Sequence, residues 1–230
     1  MDMTIRDNLI EVRRTIEHAA RRAGRVASRV RLVAVSKNQT VEAIREACDA
    51  GQLLFGENRI QEAENKIHAM RSDIEWHLIG HLQTNKARSA VRLFDMIHSI
   101  DSLKLVMELD KRAKLADACV TVLIQVNVSG EESKFGLAEG DILPVIDWIM
   151  ASQHLQLSGL MTIPPFSMNP EDSRPVFRGL RRLAEKAILD RGILEESELE
   201  LSMGMSSDYW IAIEEGATLV RVGTAIFGER

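Results

Sequence analysis

The chain is poor in the features that mark several broad protein classes. It has two cysteines, Cys48 and Cys119, far apart and at no metal or redox spacing. A disulfide-stapled scaffold is therefore excluded, and two reduced thiols in a cytosolic protein are expected. No uncharged apolar run approaches the roughly 20 residues of a membrane span. The first residues, MDMTIRDNLIEVRR, are charged throughout and contain no signal core. A cytoplasmic protein with no membrane partner is the expectation. Basic excess is also missing: 34 acidic residues stand against 29 basic ones, which argues against nucleic-acid binding. The basic stretch RRAGR at 21–25 reads as the solvated end of a helix, where cations complement the dipole. No G-x-G-x-x-G turn follows the first strand pattern, which disfavours an open, doubly wound dinucleotide fold.

What is present is a regular alternation. Ile5, Leu9, Val12, Ile16 and Ala20 mark one face of an N-terminal helix, with Gly24 as a stop. Short β-type runs follow at 31–36, 53–55, 74–79, 95–100, 119–127, 156–161, 199–203 and 218–222. Helical faces lie between them. Val41, Ile44 and Cys48 form one; Leu105, Leu109, Ala113 and Ala116, after an N-cap at Ser102, form another. Ile142, Val145, Ile146 and Ile149 form a third, and Val176, Leu180, Leu183 and Ala187 a fourth. The proline-rich segment 163–170 (IPPFSMNP) reads as an ordered loop. Strand–helix alternation implies parallel strands with helical crossovers. Eight units in 230 residues predict an α/β fold, a single (β/α)8 TIM barrel in one domain over 1–230. The N-terminal helix is then extra, a candidate to close the barrel bottom.

In such a barrel, chemistry gathers where strands end. The first strand ends in Ser36 and Lys37. A lysine at the mouth, partly desolvated, has a lowered pKa and can condense with an aldehyde; a lysine that simply ends a strand in water is the alternative. The seventh strand runs into Met203, Gly204, Met205, Ser206, Ser207 and Asp208, ahead of a short helix over 208–215. The eighth runs into Arg221, Val222, Gly223, Thr224 and Ala225. These two loops frequently hold a phosphate in barrels, and backbone N–H groups at helix starts favour anions. Two helix-capping glycine turns are the plainer alternative. A phosphate pocket with a reactive lysine suggests a phosphorylated aldehyde, with pyridoxal 5′-phosphate the obvious candidate. Arg221, a pure donor, then either faces the pyridine nitrogen and keeps it unprotonated or makes an ion pair at the mouth.

The motifs LVAVSK at 32–37, FGENRIQE at 55–62, WHLIGHLQTNK at 76–86, VNVSGEESKFGL at 126–137, GLMTI at 159–163, LSMGMSSD at 201–208 and VRVGTAIFG at 220–228 cover nearly the whole chain. They resemble the pyridoxal phosphate homeostasis proteins, which share the barrel of alanine racemase N-terminal domains. The resemblance implies a monomer-like barrel with Lys37 holding the cofactor as a Schiff base. It implies that Ser206, Gly223 and Thr224 hold the phosphate, that Arg221 faces the ring nitrogen, and that Asn58 lies beside the cofactor. It implies a protein that buffers and delivers the cofactor in vitamin B6 balance, with apo pyridoxal-phosphate enzymes as possible recipients and no catalytic residues of its own. Two stretches depart from the family pattern: Asn38, Gln39 and Thr40 after the lysine, and Ser207, Asp208, Tyr209 and Trp210 after the seventh strand. The second could form a partner surface or an ordinary packed helix face.

His77 and His81 lack a third metal ligand in sequence and read as structural or pocket-lining. Asn85 and Lys86 could reach a polar ligand or begin a solvated helix. Glu131, Glu132 and Lys134 could cover the mouth or form a charged turn, and the acidic cluster 195–200 reads as a solvated loop. The rival function is a racemase-like enzyme. Such racemases draw a catalytic tyrosine from a second domain, whereas this sequence ends just past the eighth strand and its one tyrosine is Tyr209. A cofactor-free Schiff-base aldolase would need an acid or base near Lys37, and none is close in sequence.

Overall fold

A computed structural model describes residues 4–131 and 133–228. Eight parallel strands close into a barrel in sequence order. They are β1 (Arg31–Val35), β2 (Leu54–Glu57), β3 (Glu75–Leu78), β4 (Met96–Ile100), β5 (Val120–Gln125), β6 (Leu155–Met161), β7 (Glu200–Ser202) and β8 (Leu219–Val222). Every run expected from the sequence falls on one of these strands. Closure is made by β1 against β8, with Leu32 opposite Val220 and Ala34 opposite Val222.

Strand alternation separates two apolar layers. Val33, Leu54, Ile79, Met96, Leu123, Met161 and Leu219 point inward and pack on one another inside the barrel. Their neighbours, Leu32, Ala34, Phe55, Trp76, Leu78, Ile97, Val122, Ile124, Val220 and Val222, point outward and pack under the helices. Each buried Val, Leu, Ile, Phe or Met side chain among them contributes about 1.5–3 kcal/mol. The period of two thus decides which polar residues end up inside, a point that matters for the site.

Helix α1 (Ile5–Arg22) starts with a capping box, Thr4 with Asp7, and buries Leu9, Val12, Ile16 and Ala20. It runs along the outer wall rather than across the bottom. Among the described residues β8 is followed by a four-residue helical turn, Thr224–Phe227, and a flank of the wall lies beside it. α1 fills that flank, packing against the helices Val41–Asp49 and Tyr209–Glu214 and the turn after β8. Asn8 donates to the Ile226 carbonyl (2.8 Å) at one end. At the other, Arg25 donates to the carbonyls of Ile213, Gly216 and Ala217 (2.7, 3.1 and 2.8 Å). So the last arginine of the RRAGR stretch is a half-buried cap on a neighbouring helix, not a solvated end.

Two expected helical faces need adjustment. Over Arg174–Ala184 the buried residues are Phe177, Leu180 and Ala184, with Val176 only half-buried, and Ala116 is exposed at the end of its helix. Ser102 caps its helix by accepting from Leu105 N–H (3.3 Å). Tyr209 is buried and meets Trp210 edge-on at 5.5 Å. Within that departure from the family pattern, Tyr209 is part of the packing beneath α1, while Trp210 is half-buried and Ser207 exposed. Among the described residues, no helix is long and apolar enough to cross a membrane.

Candidate functional site

The register of β1 and β8 brings two of the expected site segments together. Ala34 lies opposite Val222, so Lys37 and Gly223 leave neighbouring strands at the same end of the barrel. A Cβ added to Gly223 would come within 3.4 Å of the Val35 Cβ and carbonyl oxygen; a side chain there would press on the backbone leading to Lys37. Lys37 has the inward parity of Val33 and Val35 but stands above the last apolar layer, where it is exposed rather than partly desolvated as expected from its place at the end of an apolar run.

The loops after β7 and β8 meet directly. Ser206 Oγ accepts from the Gly223 N–H (3.1 Å) and, more weakly, from the Ala225 N–H (3.5 Å). Three polar groups from two loops therefore converge on one small region, and Thr224 is exposed beside it. The β7 loop can turn this sharply because Gly204 adopts φ +89, where a Cβ would come within 2.5 Å of Ala212 Cβ. Asp208 then fastens the turn. Its carboxylate accepts from Met205 N–H (2.7 Å) and from the Ser173 hydroxyl (2.9 Å). The helix that follows, Tyr209–Glu214, is short; the donors at this place come from the β8 loop instead.

Arg221 is buried inside the barrel below these loops. Its guanidinium donates to Ser202 Oγ (2.6 Å) and to the Thr162 carbonyl (2.9 Å). Both acceptors are neutral, which does not match an ion pair at the mouth. Burial draws the guanidinium pKa down to about 10, with Asp208 opposing the shift. The group is therefore still cationic at neutral pH.

Asn58 is half-buried just past β2. The loop after β3 presses on it: a Cβ on Gly80 would collide with the Asn58 backbone. Asn58, Gly80, His81 and Lys86 line a cavity of about 370 Å³. Lys86 thus does border a space at the mouth, whereas Asn85 is exposed. His81 pairs with Asp101 (2.9 Å) and stacks on Phe135 at 4.0 Å. This places the loop after β5 against the mouth. Glu131 in that loop accepts from Asn127 Nδ2 through its carbonyl (2.9 Å), so it belongs to a tight turn; Glu132 lies outside the described residues. Two clefts of about 720 and 710 Å³ open at the opposite end of the strands.

Two features of the site escaped sequence reasoning. The first lies behind Lys37. Lys66, on the helix Ile60–Ala69, is buried and donates to the Ser36 carbonyl (2.6 Å), Glu57 (2.7 Å) and Glu62 (2.6 Å). Ser36 Oγ also donates to Glu57 (2.6 Å), and the Asn38 N–H donates to Glu62. Asn38 adopts φ 58, a left-handed conformation that asparagine tolerates better than most residues. That gives the first departure from the family pattern a structural use, and it brings acids to the flanks of Lys37 that lie 20 or more residues away in sequence. Desolvation pushes the Glu57 carboxyl up, against the pull of Lys66 and Ser36. The signal was FGENRIQE itself: Glu57 has the outward parity of Phe55, so it had to face the helix that follows.

The second is a polar file inside the barrel: Glu75, His77, His98 and Ser202 share the inward parity of Arg221. His77 is thus structural, as one of its readings held, but His98 was not singled out. Among the described residues, no group of three or more His, Cys, Asp and Glu is arranged to hold a metal ion.

Comparison with known proteins agrees with this architecture. Residues 11–230 match the family model of the alanine racemase N-terminal domain. The chain is 42% identical to the pyridoxal phosphate homeostasis protein of Aquifex aeolicus, over 97% of each chain. It is 39% identical to that of Escherichia coli K12, over 98% of this chain and 97% of the other. Among solved structures, PipY of Synechococcus elongatus PCC7942 with PLP bound superposes with a TM-score of 0.81 at 40% identity, covering 93% of this chain and all of PipY. An alanine racemase of Clostridium difficile 630 shares the fold at 13% identity (TM-score 0.75), with 99% of this chain matching 57% of the racemase.

Proposed function

The chain belongs to the alanine racemase N-terminal-domain family and, within it, to the pyridoxal phosphate homeostasis proteins, and on that premise we propose that it binds pyridoxal 5′-phosphate at the barrel mouth and holds it for delivery. The observation that carries this reading is the convergence of Ser206 Oγ and the Gly223 N–H beside the strand that ends at Lys37. The residues present fit the group. Two N–H donors and a hydroxyl gather where a phosphate would sit, and a buried guanidinium with neutral partners lies below. PipY, at 40% identity, has been solved with this cofactor bound.

When bound, the cofactor supplies an aldehyde that condenses with an amine and a ring nitrogen that can carry a proton. The protein's residues divide the rest. Lys37 offers the amine and forms the covalent link. Ser206, Gly223 and Thr224 hold the phosphate with charge-assisted hydrogen bonds. Arg221 faces the ring nitrogen and, as a donor that stays charged, keeps a proton off it. Asn58 flanks the ring. The Glu57–Lys66–Glu62 clamp fixes the backbone on both sides of Lys37. Residues 1–230 act as one cofactor-binding unit in the cytoplasm, with apo pyridoxal-phosphate enzymes as recipients.

A carrier role, without turnover, is favoured over racemisation. The names of the 40%-identical relatives support it. So does Tyr209, which is buried under α1, bonded to Thr15, and supplies no second base at the mouth. The test is borohydride reduction of the protein loaded with pyridoxal phosphate, followed by peptide mapping. The label is expected on one peptide, the one containing Lys37. A label on another lysine refutes the assignment.

A further inference from the structure

Below the mouth, the barrel axis is not wholly apolar. A continuous hydrogen-bonded file runs along it. Arg221 Nη1 lies 2.6 Å from Ser202 Oγ. Ser202 Oγ lies 2.8 Å from His98 Nδ1. His98 Nε2 lies 2.9 Å from His77 Nδ1, and His77 Nε2 lies 2.7 Å from Glu75 Oε1. Glu75 also meets Arg31 at 2.5 Å and lines the 710 Å³ cleft at the barrel bottom, where its side chain is 38% exposed. Ser202, His98, His77 and Arg221 are all buried. Five residues from four strands thus join the two ends of the barrel.

Both ends of the file fix the direction of its hydrogens. Arg221 only donates, so Ser202 Oγ accepts from it. The Ser202 hydrogen then has His98 Nδ1 as its partner. His98 is uncharged, because desolvation in its fully buried position, with the Arg221 and Arg31 cations nearby, holds its pKa well below the usual imidazole value. A neutral ring that accepts at Nδ1 donates from Nε2, to His77 Nδ1. At the other end Glu75 is ionised: its hydrogen bond from His77 and its pairing with Arg31 hold its carboxyl at about 2. An ionised carboxylate only accepts, so His77 Nε2 carries a hydrogen. Every step points one way, from Arg221 to Glu75, with both histidines as Nε2–H tautomers. The reverse order, with a doubly protonated His77, would leave the Ser202 hydrogen without a partner among the described residues.

We propose that Glu75, His77, His98 and Ser202 are positioning residues that form a through-barrel relay, in which Glu75 at the bottom fixes the hydrogen directions so that Ser202 Oγ always presents a lone pair to Arg221. This rests on the reading of Arg221 as the group that faces the cofactor's ring nitrogen. The guanidinium is buried with two neutral acceptors, and one of them is a hydroxyl that could rotate. Pinning that hydroxyl keeps the arginine aimed at the mouth. A carboxylate at one end of the barrel therefore sets the protonation of a ring nitrogen held at the other.

Two readouts test the relay. The first needs no cofactor: imidazole nitrogen shifts of His77 and His98 in the full chain. Both rings are expected as Nε2–H in the wild type and as tautomer mixtures in Glu75→Ala. Glu75→Gln keeps an acceptor and should preserve the wild-type tautomers. The second is the pH profile of the absorbance of the bound chromophore after loading with pyridoxal phosphate. Its midpoint should move by at least about half a pH unit in Glu75→Ala and return toward wild type in Glu75→Gln. A doubly protonated His77 in the wild type at neutral pH, or Nδ1–H rings, overturns the relay. Moved tautomers with an unmoved chromophore overturn its action on Arg221. Wild-type protein that takes up no pyridoxal phosphate on Lys37 refutes the cofactor reading alone, and the tautomers measured without cofactor still decide the relay.

Discussion

Replacing Lys66 by methionine isolates the clamp behind Lys37. The substitution keeps the length and most of the apolar stem but deletes the ammonium. The wild-type ammonium makes three contacts of 2.6–2.7 Å, with its side chain 7% exposed and Glu57 wholly buried. Removing one partner of a buried ion pair typically costs about 3–5 kcal/mol, because the remaining charge has no compensation. For a protein of this size roughly 2–4 °C of melting temperature accompanies each kcal/mol, so a fall of about 6–20 °C is expected. The pH dependence supplies a sharper signature. Burial already raises the Glu57 carboxyl, and Lys66 is the larger force pulling it back; without Lys66 it rises further. A carboxyl whose folded pKa exceeds its unfolded value binds more protons in the folded state, so stability falls as pH rises through that interval. The variant should therefore lie furthest below wild type at about pH 8 and recover part of the gap by about pH 5. Adding Glu57→Gln should restore most of the loss. Urea unfolding across that range measures all three effects. A Lys66→Met protein within about 1 kcal/mol of wild type, or a gap that does not change with pH, would refute the account of the clamp.

Other expectations are more direct. Ser206→Ala and Thr224→Ala should each weaken retention of pyridoxal phosphate by roughly 10- to 100-fold, since a hydrogen bond to a charged group contributes about 1.5–3 kcal/mol; equilibrium dialysis decides, and unchanged affinity in both removes the phosphate pocket. Gly80→Ala should perturb the same affinity through Asn58, because its Cβ collides with the Asn58 backbone. Glu75, held at about 2 in the fold by His77 and Arg31, contributes stability that is present above the ordinary carboxylate value and lost as pH falls through about 2. Glu75→Gln should flatten that part of the acid-unfolding curve, and an identical curve would count against the assignment. Stoichiometric protein loaded with pyridoxal phosphate should leave L-alanine unracemised by chiral chromatography, and rapid interconversion would restore the enzyme reading.

The barrel was legible because each of its signals is local. Eight apolar runs with helical patterns between them needed only a period of two and a period of 3.6 to be read. The mouth was partly legible for the same reason: Lys37, Ser206, Gly223 and Thr224 all follow directly from the ends of strands. The clamp and the axial file were not, since both join residues distant in sequence whose meeting depends on closure. Lys66 looks like a solvated lysine on a helix until β1 and β2 are set side by side and Glu57 is seen to point outward. His98 looks like one more strand residue until β3, β4, β7 and β8 share an axis.

Parity would nevertheless have narrowed the search. With Ile79 and Met96 taken as inward and Leu201 as outward, counting by twos along their own strands puts Glu75, His77, His98 and Ser202 inside. A barrel interior is normally filled by branched apolar side chains, so four polar residues at inward positions are an exception that burial alone makes expensive. Such a group is stable only if its members satisfy one another. The inward polar residues of a barrel whose mouth holds a buried cation are thus candidates for one connected network, and the hydrogen directions from Arg221 to Glu75 are what that connection requires.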